Sequence, residues 1–209
     1  MDRIPRTATV AISIVTALAW LIAAVSLMSD EAAFVLGFIP ERVGGPPVPW
    51  GAVPVFLTPL TATLVHAGPI HLGLNLVVLI WCGQAVERVL GRTGLVVLYV
   101  VGAYAAALGQ WVVTPDSAVP MVGASGAISA VIGAFSLSFG RPKQVTSSQR
   151  VNRWINAVWL MVAWIVLQIM MGWLAGGQGV MLAWPAHVGG FIAGILLQRP
   201  LLLWRYRNA

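Results

Sequence analysis

The chain has 209 residues, of which 59% are hydrophobic and only 9% charged. That is too apolar for a soluble core, and the apolar residues recur in long runs, so the composition excludes an ordinary soluble enzyme and indicates a polytopic membrane protein. The formal net charge of +6 does not indicate a nucleic-acid partner, because the basic residues are scattered over short loops and both ends instead of forming a stripe.

Residues 8–28 form the first predicted span, and Arg3 and Arg6 before it place the N-terminus in the cytoplasm. No small-residue cleavage pattern follows this run, so no cleaved signal peptide is expected. Residues 29–65 carry Asp30, Glu31 and Glu41 together with Pro46, Pro47, Pro49, Pro54 and Pro59, which rule out one straight helix. They are read as a long outside loop whose apolar pieces, 34–39 and 53–57, rest at the interface or dip into the protein.

The second predicted span, 71–88, ends in Glu87, Arg88 and then Arg92, so its far end is cytoplasmic. It is short for a bilayer, which implies local thinning or burial among neighbours. The lone Cys82 within it reads as a buried, unreactive thiol. Residues 94–113 return outward, Asp116 marks an outside turn, 121–139 go back in, and 141–153 form a basic inner loop. Residues 154–175 and 185–203 complete the set, the last kinked or ended near Pro200. The glycine-rich loop 176–184 between them is read as a mobile cap, with the fifth span as a lateral gate.

The expected fold is therefore an all-α bundle of six spans in one domain, 1–209, with both termini inside. Of the twelve Lys and Arg residues only Arg42 falls outside, whereas four of the six acidic residues do, a strong positive-inside bias.

Chemistry enters through topology, because spans two, four and six all begin on the outer side. His71 and Asn75 lie in the first turns of span two, Ser125 about five residues (~7 Å) into span four, and His187 two residues into span six. Polar groups at membrane depth are costly, so four at one level signal function. Each has a structural reading too: small residues spaced along a span mark helix packing, and a histidine can simply satisfy a carbonyl. The combination outweighs these. Gly123 and Gly126 leave the Ser125 hydroxyl uncrowded, and Gly190 and Gly194 allow spans four and six to pack closely enough for serine and histidine to touch. No carboxylate lies in the outer half of any span, so the expected arrangement is a Ser125–His187 dyad without a third member. His71 and Asn75, four residues apart and so on one helix face, can both donate to a developing oxyanion.

These residues fall in the segments HAGPIHLGLN (His66, His71, Asn75), GQAVERVLG (Gly83, Glu87, Gly91), GASG (Gly123 to Gly126) and AHVGGFIAG (His187, Gly190, Gly194). In that order and on those spans they resemble a rhomboid intramembrane serine protease of the bacterial six-span type. The resemblance implies that Ser125 is the nucleophile and His187 the base. It implies an oxyanion hole made by His71, Asn75 and the backbone amides of Ala124 and Ser125, with His66 close by. It further implies membrane-anchored protein substrates drawn from the lipid bilayer, no cofactor and no metal, and a bacterial plasma membrane with the site opening to the extracytoplasmic side. Two features depart from the family pattern. Ser129 stands where a tyrosine usually packs on the catalytic histidine, leaving Phe191 or another ring to fill that role, and Trp50 is followed by Gly51 where many members carry Trp-Arg. The rival reading is a weak or inactive rhomboid-like protein that binds transmembrane clients.

Overall fold

The computed structural model describes residues 7–26, 29–45, 51–139, 144–174 and 183–207. Arg3 and Arg6, the prolines at 46, 47 and 49, and all but the last two residues of the loop read as a cap lie outside the described residues. Among the described residues the elements are helical: α1 (Ala8–Val25), α2 (Ser29–Leu36), the four-residue α3 (Thr58–Thr61), α4 (Pro69–Val113), α5 (Ser125–Phe139), α6 (Gln149–Leu174) and α7 (Trp184–Arg205). Four of these, α1, α4, α6 and α7, are long and apolar enough to cross a membrane, while α5 is a shorter apolar helix of 15 residues.

Helix α4 takes up the predicted second and third spans and the reversal between them. Its 45 residues are helical except at Gly91, where φ is 77° and ψ 170°. That left-handed φ suits glycine, and it breaks the helix into two legs, 69–90 and 92–113. The first leg begins with Pro69 at the first helical position, where no N–H is needed, so it is longer than the sequence reading allowed. The break leaves the last carbonyls of the first leg without intrahelical partners. Arg205, from the end of α7, meets this need by donating through Nη1 to the carbonyls of Glu87 (3.3 Å) and Arg88 (2.9 Å). The same region anchors α1: the Glu87 carboxylate accepts from the Ala8 and Thr9 amides at 2.8 and 2.9 Å and from the Thr9 hydroxyl at 2.6 Å. A carboxylate there satisfies orphan donors and complements the positive end of the helix.

At the centre stands α5, buried on nearly all sides and built from Gly, Ala, Ser and β-branched residues. Such small side chains let backbones approach. A Cβ on Gly102 would lie 2.5 Å from Ala130 Cβ, and one on Gly126 would lie 2.5 Å from Ala106 Cβ, so the second leg of α4 presses against α5. A Cβ on Gly190 would likewise collide with the Gly126 carbonyl and one on Gly194 with the Ala130 carbonyl, which fixes α7 against α5. A helix enclosed in this way presents little surface to lipid and so does not need a full bilayer-spanning length.

Three boundaries differ from those read off the sequence. The helix of the fourth predicted span, α5, starts at Ser125, not at residue 121. Met121 instead pairs antiparallel with Phe38, and Gly123 adopts φ 113°, which a helix cannot contain. The fifth begins at Gln149 because Ser148 caps it, its hydroxyl accepting from the Val151 amide at 3.4 Å, while Asn152 ties down the preceding loop by accepting from Val145 and Thr146. The last runs through Pro200 to Arg205, so the proline neither ends it nor bounds it.

The segment 29–65 is not a featureless loop. Its helix α2 is closed by Arg42 Nη1, which donates to the Phe34 carbonyl at 2.8 Å, and Thr61 donates to the Leu36 carbonyl at 2.6 Å. Phe38 and Ile39 are buried. This segment then holds the chain ahead of α5: Phe38 and Met121 exchange both backbone hydrogen bonds, Glu41 N–H donates to the Ser117 carbonyl, and Gly123 N–H donates to the Ala62 carbonyl at 2.9 Å. The chain from Ser117 to Gly123 is thereby pinned at three points up to where α5 begins.

Candidate active site

The extended segment, the turn at Gly123 and the start of α5 together decide where Ser125 points. As the first residue of α5, Ser125 has an N–H that belongs to the helix's unpaired N-terminal donors, facing away from the helix body. Its hydroxyl is 2.8 Å from His187 Nε2, and both residues are buried, at 7% and 4% exposure. His187 stands in the first turn of α7, its own N–H directed to the Ala183 carbonyl. The contact depends on the glycine seam between α5 and α7, because Gly190 lies one turn below His187 against Gly126.

A hydrogen bond between a neutral imidazole and a serine hydroxyl has the hydroxyl donating when Nε2 is unprotonated, which leaves the ring proton on Nδ1. His187 Nδ1 is buried and has no hydrogen-bond partner among the described residues. Among the described residues no carboxylate hydrogen-bonds to this ring.

His71 lies on the other side of the serine. The Ala67 N–H donates to His71 Nδ1 at 3.4 Å, so the neutral ring carries its proton on Nε2. That edge of the ring packs on Gly123, two residues before the serine: a Cβ on Gly123 would be 2.9 Å from His71 Nε2, 2.7 Å from Cε1 and 3.8 Å from Ser125 Oγ. Gly123 therefore serves twice, by adopting φ 113° and by leaving room for the imidazole.

Asn75 is fully buried. Its Nδ2 donates to the His71 carbonyl one turn back at 2.8 Å, which uses one of its two N–H groups, and its Oδ1 has no partner among the described residues. His66 sits beside His71, ring centroids 5.0 Å apart, and its Nε2 accepts from the Ala124 N–H at 3.4 Å. The Ala124 amide expected at an oxyanion hole is thus directed at His66, while the Ser125 amide belongs to the open end of the helix. Burial, reinforced by repulsion from neighbouring His71, pushes His66 down to about 3, which keeps its ring neutral and able to accept.

Ser129 does not offer its hydroxyl to His187. It donates to the Ser125 carbonyl at 2.7 Å and accepts from Trp164 Nε1 at 2.9 Å. Trp164 then places its ring edge-on to His187, centroids 6.3 Å apart and planes at 67°. The ring that meets His187 thus comes from α6, and both Trp164 and Phe191 belong to the apolar core. Trp164 is the residue that sequence reasoning missed. It carries no motif, and its link to Ser129 spans 35 positions.

The family model for the Rhomboid domain matches residues 55–204, which takes in every one of these side chains. The chain is 29% identical over 150 residues to Rhomboid-type serine protease 2 of Emericella nidulans, covering 68% of this chain and 25% of that protein. It is 28% identical over 139 residues to RHOMBOID-like protein 5 of Arabidopsis thaliana, covering 66% and 42%. Over 75 residues it is 40% identical to human Rhomboid-related protein 3, covering 36% and 18%. The aligned part is less than half the length of each of these relatives. All three are eukaryotic and lend no support to a bacterial source. With the family model covering well over half of its length, the chain belongs to the rhomboid family.

Proposed function

We propose that this protein is an intramembrane serine protease that cleaves membrane-anchored protein substrates with a Ser125–His187 dyad. The observation that carries this reading is the 2.8 Å contact between Ser125 Oγ and His187 Nε2 in a buried site at the mouth of a helix. Ser125 Oγ attacks the scissile carbonyl as its proton passes to His187 Nε2. The oxyanion that forms is met by the Ser125 amide, His71 Nε2–H and the remaining Asn75 N–H, donors fixed before the reaction begins. His187 then gives its proton to the leaving amine, which departs and leaves Ser125 acylated. Water, deprotonated by His187, hydrolyses the ester and restores the serine. Without a carboxylate on Nδ1, the imidazolium is stabilised only by its surroundings, so slow turnover is expected.

The reading includes six crossings with both termini in the cytoplasm, supported by the two legs of α4 and by the distribution of basic residues. That orientation puts the dyad near the extracytoplasmic surface. The test is cleavage of a membrane-anchored substrate by purified protein in bilayers. Ser125→Ala and His187→Ala each abolish it while melting with the wild type, and Asn75→Ala lowers the maximal rate by ~10²-fold or more with little change in KM, since the oxyanion exists only along the reaction path. Near-wild-type cleavage by either dyad variant contradicts the assignment.

A further inference from the structure

We infer that Trp164 is a positioning residue for the dyad, holding His187 directly and Ser125 through Ser129; this rests on the protease reading above. The indole N–H can only donate, so Ser129 Oγ must accept from it, and the single proton of that hydroxyl is then directed to the Ser125 carbonyl. The direction of each bond is fixed, and the three groups form one chain from α6 to the backbone of the nucleophile. The same indole lies 6.3 Å, centroid to centroid, from the His187 ring in an edge arrangement. One side chain thus touches the base and, through one hydroxyl, steadies the nucleophile's own peptide unit.

Trp164 is where α6 enters the apolar core. Helix α6 is largely exposed, and its buried positions are confined to Asn152, Ala157, Trp164 and Gln168 among those described. At 5% exposure Trp164 is the one buried aromatic side chain among the described residues of α6, and it meets Ser129 and His187. The packing explains why residue 129 is small. Ser129 is fully buried, α7 lies close to it, since a Cβ placed on Gly190 would come within 3.2 Å of its Cβ, and the indole N–H reaches its hydroxyl at 2.9 Å, so the space around this side chain is taken from both helices. Position 129 and position 164 are therefore two halves of one arrangement: a small hydroxyl on α5 and a ring supplied from α6.

The test is steady-state cleavage of a membrane-anchored substrate in bilayers, with a melting temperature for each variant. Trp164→Leu removes ring and donor; kcat falls by roughly 10²-fold with KM within about twofold, because misalignment of the base affects the reaction more than the binding. Trp164→Phe keeps the ring and loses the donor, and Ser129→Ala loses the acceptor of the same bond. Each lowers kcat only a few-fold, and the two together lower it no further than either alone, as expected when both changes break one interaction. Ser129→Tyr melts lower than wild type because it is overpacked, whereas Ser129→Tyr combined with Trp164→Ala recovers kcat relative to Trp164→Ala, since the new ring enters the vacated space. A Trp164→Leu protein with kcat near wild type, a loss confined to KM, or multiplicative effects of Trp164→Phe and Ser129→Ala overturns the inference. An inert wild type overturns the protease reading and this inference together, while an active wild type beside an indifferent Trp164→Leu overturns this inference alone.

Discussion

Gly123 carries two demands that no other residue type meets together. Its φ of 113° lies where an L side chain is strained, and the place its Cβ would occupy is taken by His71. Gly123→Ala is expected to cost about 1–3 kcal/mol in stability from the backbone alone. Because the methyl also displaces His71 from the serine, the maximal rate falls further than stability does, and kcat measured well below the melting temperature separates the two effects. His66 supplies a second residue-level test. Its pKa is about 3 in the folded protein against 6.5 for a free histidine, so between those values the unfolded chain binds a proton that the folded one refuses. Stability is thus full above about pH 6.5 and declines as pH falls toward 3. His66→Gln keeps an acceptor for the Ala124 amide and cannot titrate, so its melting temperature declines less steeply on acidification; an equal slope would place the lost stability elsewhere, His71 being the nearest candidate. At this scale Ser125, His187, His71, Asn75 and Gly123 were legible because each stands in a short local pattern. Trp164 was not, since its role arises from where α6 lies against α5 and from nothing in its neighbours along the chain. The Ala124 amide shows the same limit, as its direction is set by His66, 58 positions away.

Helices in this fold are closed by residues from other helices. Arg205 at the end of α7 serves the carbonyls left open by the break at Gly91, and Glu87 just before that break serves the amides that open α1. The three chain segments are joined at one end of the bundle by two side chains. Glu87→Gln retains one acceptor but loses the other and the charge, and is expected to lower stability by about 1–3 kcal/mol. Since the site lies at the opposite end, kcat at low temperature should stay near wild type, so a matched fall in both would show that the two ends are coupled. The apolar runs made the long helices legible, but their ends were less so. The start of α5 was misplaced by four residues because Met121 and Val122 are as apolar as the helix, and only the pairing of Met121 with Phe38 reveals them as extended. The start of α6 was hidden by Arg150 and Arg153, which read as loop although Ser148 caps a helix there and Asn152 holds the loop before it.

The whole molecule is arranged around a short helix that lipid scarcely touches. Packing by Gly, Ala and Ser on α5, α7 and the second leg of α4 brings backbones close enough to seat a polar pair among apolar neighbours, and the segment 29–65 secures the approach to it. Every large feature of this arrangement converges on a serine that is buried, held at a helix N-terminus and hydrogen-bonded to a histidine. An inactive client-binding relative would share the bundle but would need no contact between that serine and that histidine. The most direct measurement is therefore covalent capture: wild-type protein in bilayers is treated with a fluorophosphonate and the adduct located by peptide mass spectrometry. The account predicts a single phosphonylated residue, Ser125, with labelling lost in Ser125→Ala and strongly slowed in a folded His187→Ala. A folded wild-type protein that stays unlabelled at Ser125 while cleaving its substrate, or one labelled equally well without His187, would contradict it.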